Sequence, residues 1–145
     1  MVNGFVPARV TTPPWRRDLI RSLACVLLTA QAPIPRHADW SKAERVNVSM
    51  VEYQFIPNHL TFRRGVRYRL HLENKGNELH EFTAPAFFAA VTLRDPRVLW
   101  TGGQEVVVQP GASADIDFIA RHSGHYDLTC ADHDWAGMTG AIIVQ

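Results

Sequence analysis

The sequence predicts an all-β domain, an antiparallel Greek-key β-sandwich with a short helix or irregular insert around residues 84–103. Three observations carry that reading. Apolar and polar residues alternate with period two in several short runs. Turns containing Pro or Gly separate those runs at close intervals, and little of the chain reads as helix. At 145 residues the chain is one domain of ordinary size, able to bury a core without disulfide staples.

Taken in order, residues 33–44 read as a loose arm, because Pro33 and Pro35 remove backbone donors and resist regular pairing. The domain proper is expected over residues 45–145. Val46, Val48 and Met50 alternate with polar residues, then the phase shifts so that Val51, Tyr53 and Phe55 continue it. A shift of that kind predicts a β-bulge. Residues 56–59 (IPNH) read as a turn, which makes His59 a turn residue. A strand at 60–62 is broken by Arg64 and Gly65. Val66, Tyr68, Leu70 and Leu72 then alternate with Arg67, Arg69, His71 and Glu73, the cleanest amphipathic strand in the chain. His71 falls on its wet face and receives no ligand role.

After His80 the pattern is least regular. Residues 83–91 (TAPAFFAAV) are compatible with a short helix, and 93–103 form a long connection. Phe87 and Phe88 are expected in the core or in a lid. A strand at 104–108 and a turn at Pro110 and Gly111 follow. Ala114, Ile116, Phe118 and Ala120 then alternate with Ser113, Asp115, Asp117 and Ile119. Tyr126, Leu128 and Cys130 share one strand face, and residues 140–145 close the sheet.

The stretch with the most chemistry is 127–138, DLTCADHDWAGM. It gathers a thiolate donor at Cys130, an imidazole at His133 and a thioether at Met138 into one Gly-containing turn. Soft sulfur combined with imidazole suits copper better than magnesium or calcium. Three donors leave copper(II) short of an equatorial partner, so a second imidazole is required. Of the seven histidines, His80 in NELHEF (77–82) is best placed, because it directly follows the turn ENKGN (73–77) at the expected end of a sandwich. Two imidazoles and a thiolate with a weak axial thioether form the recurring ligand set of blue-copper electron-transfer sites. His122 and His125, three apart at strand spacing, face opposite sides and read as solvated. Trp135 is left open between burial and a docking patch, and Asp127, Asp132 and Asp134 read as a wet loop whose charge suits a cationic partner.

The first 32 residues read as a secretory signal. Arg16, Arg17 and Arg21 supply positive charge, residues 23–30 (LACVLLTA) a short apolar run, and Ala30-Gln31-Ala32 an A-x-A cleavage site. The apolar run is too short to span a bilayer. The pair Arg16-Arg17 is only weakly similar to a twin-arginine signal, which leaves the export route open. Formal net charge over the whole chain is +1, so no basic footprint points to nucleic acid. Cleavage after about Ala32 removes Arg9, Arg16, Arg17 and Arg21 against Asp18, leaving a mildly acidic mature chain. It also removes Cys25, leaving Cys130 as the only thiol of an exported protein; metal ligation would mask it.

The run CADHDWAGM (130–138) with the upstream NELH resembles the copper loop of the cupredoxins, in the Cys-x-x-His-x-x-x-x-Met spacing of the plastocyanin and pseudoazurin branch. VQPGAS (108–113) followed by SGHY (123–126) and Cys130 is similar to the strand-turn-strand run that leads into that loop. The resemblance covers roughly residues 45–145. It departs from plastocyanin at Glu81, where that family usually has Asn, and at Asp132 and Asp134 beside His133, so hydrogen bonding around the ligands is expected to differ.

The resemblance implies a cupredoxin-like fold holding one type 1 copper ion on His80, Cys130, His133 and Met138. It also implies a periplasmic carrier of single electrons, with His133 as the near-surface electron port. Partners would be redox proteins such as a c-type cytochrome or an oxidase or reductase, met by a monomer that neither binds nucleic acid nor spans a membrane once mature. Four protein donors and no second histidine cluster argue against an enzyme. The rival readings are a periplasmic copper carrier or copper-resistance protein that hands on the ion, and a structural zinc site using a neighbouring carboxylate such as Asp132.

Overall fold

The computed structural model describes residues 39–100 and 102–145. The signal segment 1–32 and residues 33–38 of the arm lie outside the described residues. The end of the arm forms a 3-10 turn at Trp40–Lys42, capped by the Asp39 carboxylate on the Ser41 N–H.

Among the described residues, ten strands form two five-stranded sheets, accompanied by one short α-helix. The first contains β1 (Glu44–Val51), β2 (Gln54–Ile56), β4 (Arg67–Asn74), β6 (Val91–Leu93) and β8 (Ser113–Ala120), in the order β2-β1-β4-β8-β6. The second contains β3 (His59–Phe62), β5 (His80–Thr83), β7 (Glu105–Val108), β9 (Gly124–Thr129) and β10 (Thr139–Val144), in the order β3-β10-β9-β5-β7. The β-sandwich is therefore as expected, but its sheets are mixed. β1 pairs in parallel with β4, and β3 in parallel with β10. After β2 the chain crosses to the second sheet as β3 and returns as β4, and parallel neighbours require such a crossover.

The expected bulge near residue 51 is a hairpin instead. β1 and β2 are antiparallel with Met50 opposite Phe55 and Val51 opposite Gln54, so Glu52 and Tyr53 are its turn. A two-residue reversal breaks the alternation in the same way that one inserted residue does, which is why the pattern alone reads as a bulge.

Period two does its work on β4, where Tyr68, Leu70, Leu72 and Asn74 point inward and alternate with half-buried residues. His71 lies on the outer face, its Nδ1 2.6 Å from Asp115, in keeping with no ligand role. On β8, Ile116, Phe118 and Ala120 are buried as expected. Ile119, expected on the wet face, is also buried, because β8 is an interior strand and Arg67 of β4 and Thr92 of β6 flank it at the same register.

The core between the sheets is aromatic. Phe62, Tyr68, Phe87 and Phe118 meet at centroid distances of 4.8 to 5.7 Å, in stacked and edge-on pairs. Burying each such ring is worth about 1.5–3 kcal/mol, with more from the pairwise geometry. The helix foreseen near residue 84 is α1 (Pro85–Ala89), opened by proline at its start. It delivers Phe87 and Phe88 to the core rather than to a lid. The connection that follows contains a 3-10 turn at Pro96–Val98. Among the described residues no helix is long and apolar enough to cross a membrane.

Candidate metal centre

The centre lies at the end of the second sheet, where β5 begins and β9 gives way to the loop that returns as β10. β9 and β10 pair up to Thr129 opposite Thr139, so the loop leaves and re-enters a fixed ladder. Its backbone closes on itself. The Cys130 N–H donates to Met138 O at 3.0 Å, the His133 N–H to Cys130 O at 3.1 Å, and the Met138 N–H to His133 O at 3.2 Å. A 3-10 turn at Asp134–Ala136 ends at Gly137 with φ +85°, a left-handed conformation that favours glycine. These bonds fix where the side chains start, which leaves little to rearrange around an ion.

His80, the first residue of β5, reaches the same place from a neighbouring strand; β5 touches β9 where Thr83 pairs with Thr129. Its ring is fully buried, as are Cys130 and Met138, and His133 is 8% exposed. Both histidines turn Nδ1 toward the sulfur, which lies 4.0 Å from His80 Nδ1 and 3.4 Å from His133 Nδ1. The three ligand atoms all lie within 4.8 Å of one another. Ion distances of about 2.3 Å to sulfur and 2.0 Å to nitrogen hold neighbouring donors roughly 3.5–4 Å apart, so the trio fits one first-row ion. Met138, outside that trio, is fully buried, and its backbone is tied to both Cys130 and His133.

The electrostatics suit a cation. Burial pushes the Cys130 thiol above its ordinary value, and burial with His133 alongside lowers that of His80. A neutral His80 keeps a lone pair for a metal, whereas the thiol must lose its proton on binding. The other ring nitrogen, His80 Nε2, is buried without a hydrogen-bond partner, with Glu52 Oε1 4.0 Å away. The sulfur accepts the Glu81 N–H at 3.4 Å. Because that bond comes from the backbone, having Glu rather than Asn after His80 leaves it intact. The Glu81 carboxylate instead accepts from the Asp132 N–H at 3.0 Å, and burial raises its pKa.

His80, Cys130 and His133 are thus brought together, while His59, His122 and His125 are exposed and stand outside the trio. Asp132 and Asp134 are exposed, and Asp132 contributes no carboxylate to the trio, so the zinc arrangement built on that carboxylate lacks support. The open question over Trp135 resolves to exposure: the residue is 76% accessible and its Nε1–H donates to Asp132 O at 2.9 Å.

Sequence reasoning missed three residues around the imidazoles. Glu78 Oε2 lies 2.8 Å from His133 Nε2, the Tyr53 ring sits 4.8 Å from the His133 ring, and Glu52 Oε1 is 4.0 Å from His80 Nε2. As a result His133 lies beneath the surface, its Nε2 edge covered by a carboxylate. Glu78 and His133 are 55 residues apart, and no local pattern could have paired them.

No curated protein sequence matches the chain. Among solved structures it is similar to auracyanin B, with a TM-score of 0.53 at 19% identity over 71% of this chain and 89% of that one. It is also similar to the dithionite-reduced auracyanin of the photosynthetic bacterium Roseiflexus castenholzii, with a TM-score of 0.54 at 15% identity over 71% and 98%. At these identities the likeness is one of fold. A sequence model of the cupredoxin-like domain matches residues 20–144, and the chain therefore belongs to the cupredoxin-like family, with a His-Cys-His cluster and a nearby Met that fit a type 1 copper site.

Proposed function

We propose that the protein is a periplasmic carrier of single electrons, exported by residues 1–32 and working as a monomer between soluble or membrane-bound redox proteins such as a c-type cytochrome or an oxidase or reductase. His80 and His133 would supply imidazoles and Cys130 a thiolate to a copper ion, with the thioether of Met138 as a weaker fourth donor. Copper, when bound, supplies the Cu(I)/Cu(II) couple, taking one electron from a reduced partner and passing it to an oxidised one.

The observation that carries this reading is the convergence of three buried ligand atoms within 4.8 Å, one from the start of β5 and two from the loop between β9 and β10. A carrier gains from ligands that stay put when the charge of the ion changes, and here the ladder between β9 and β10 and the bonds across the loop hold them. Full burial of His80, Cys130 and Met138 favours passing an electron over handing on the ion, because an incoming acceptor has no open route to the donors. With four protein donors there is no place for a substrate, so the chain is not read as an enzyme.

Visible and EPR spectra of the copper-loaded protein test the assignment. Wild type is expected to absorb strongly in the visible, and Cys130→Ser to lose that band entirely while still folding. A colourless copper-loaded wild type, or a Cys130→Ser protein with an unchanged spectrum, would sink it.

A further inference from the structure

The two imidazoles have unlike surroundings. His80 Nε2 has no hydrogen-bond partner, whereas His133 Nε2 meets a carboxylate that is held at both oxygens. Glu78 Oε2 accepts from His133 Nε2 at 2.8 Å, and its Oε1 accepts from the Tyr53 hydroxyl at 3.4 Å. Since a carboxylate only accepts, the proton in the first bond sits on Nε2.

The turn carrying Glu78 is built for the purpose. Asn74, 1% exposed, donates from Nδ2 to Glu78 O at 2.8 Å and to Val108 O at 2.9 Å, and accepts the Gly76 N–H at 2.9 Å. From the other side the Glu52 carboxylate accepts the Glu78 N–H at 3.1 Å and also the Asn77 N–H. A Cβ on Gly76 would overlap that carboxylate, so glycine makes the room.

We propose that Glu78 is a positioning residue for His133. It keeps the ring proton on Nε2 and so leaves the Nδ1 lone pair facing Cys130. It also puts a negative charge one imidazole away from the ion, which favours Cu(II) over Cu(I) and lowers the reduction potential. The inference rests on His133 being a copper ligand, as proposed above. An imidazole that donates its second N–H to a carboxylate is fixed in tautomer and is the more basic ligand. The His133 side chain is only 10% exposed, so water and salt screen the pair less than they would at the surface. Tyr53 ties the hairpin turn between β1 and β2 to the same carboxylate, adding a third part of the fold to the clamp.

The test compares wild type with Glu78→Gln, which keeps the shape and removes the charge, and with Asp134→Asn, which removes the same charge from the exposed residue next to His133. The Glu78 side chain is half exposed, so its replacement leaves the core alone, and Glu78→Ala repeats the measurement without any hydrogen-bonding group. In the metal-free protein, nitrogen-15 NMR of the His133 ring should show the Nε2–H tautomer for wild type and Asp134→Asn, and a mixture for Glu78→Ala. In the copper-loaded protein, Glu78→Gln should shift the Cu(I)/Cu(II) ratio about tenfold toward Cu(I), a rise of about 59 mV for one electron, with Asp134→Asn giving under a third of that. Wild-type potential in both Glu78 variants, an equal shift in Asp134→Asn, or an unchanged tautomer in Glu78→Ala overturns the proposal. Absence of a type 1 spectrum in wild type overturns the copper reading and the tuning with it; the tautomer comparison still reports whether the clamp exists.

Discussion

The middle of the sandwich and its metal end are both buried, yet they are held together differently. Phe62, Tyr68, Phe87 and Phe118 pack on one another and on the apolar core around them, and the polar tip of Tyr68 accepts the Arg63 N–H at 3.0 Å. At the metal end, His80 and Cys130 are just as deeply buried, but His80 leaves Nε2 unpaired and burial works against the charged forms of both groups. The first region is complete by itself; the second keeps a sulfur and two Nδ1 nitrogens turned toward one another that a cation would bridge. Depth alone does not indicate stabilisation: an apolar ring gains from leaving water, whereas a polar donor loses unless something replaces the water.

The largest effect is expected from cutting into the aromatic region. Phe118→Ala should cost about 3–5 kcal/mol by denaturant unfolding, through lost transfer energy and the cavity left behind. An effect below about 1 kcal/mol would mean that the ring contributes little to the core.

Copper should complete the other region. At free copper a thousandfold above its dissociation constant, wild type is expected to gain about 4 kcal/mol, a gain that a chelator removes. His80→Leu should lose most of the gain, while its metal-free form unfolds no more easily than metal-free wild type, since an apolar group replaces an unsatisfied one. A metal-free His80→Leu protein much weaker than wild type would show that the unpaired ring stabilises the fold unaided.

A smaller effect sharpens the contrast from a third place, where polar groups find their partners within the chain. Asp117, on the outer face of β8, accepts from Arg69 at 2.7 and 2.9 Å and from Arg94 at 2.9 Å, and the Arg69 hydrogen bond leads the causes that hold its pKa below 3.8. Asp117→Asn should cost about 2 kcal/mol at neutral pH. A depressed carboxyl stabilises the fold above its unfolded value and loses that contribution as pH falls through the folded value. The gap between wild type and variant should therefore close below about pH 4. A gap that stays constant or widens on acidification would contradict the assignment.

How far the sequence could be read follows from the range over which each signal acts. Cys130, His133 and Met138 are legible because one loop holds all three and its spacing sets their reach. β4 is legible because one strand carries its whole pattern. The hairpin at Glu52 and Tyr53 is not separable from a bulge by pattern, and no alternation tells a strand whether its neighbour runs parallel. His80 could be nominated but not placed, since its position 50 residues before Cys130 becomes proximity only once β5 lies beside β9.

A β-sandwich chain with a copper-type donor loop, and apolar alternation enough to bury it, is written into the order of the residues, because side-chain period and loop spacing are local properties of a polypeptide. Folding in three dimensions sets which imidazole lies beside Cys130 and His133, that Glu78 and Tyr53 cover the His133 ring, and that Glu52 and Asn74 hold the turn that presents Glu78. Those are hydrogen bonds and ring contacts a few ångströms long between residues far apart in the chain, and only the crossing of strands between two sheets brings them within reach.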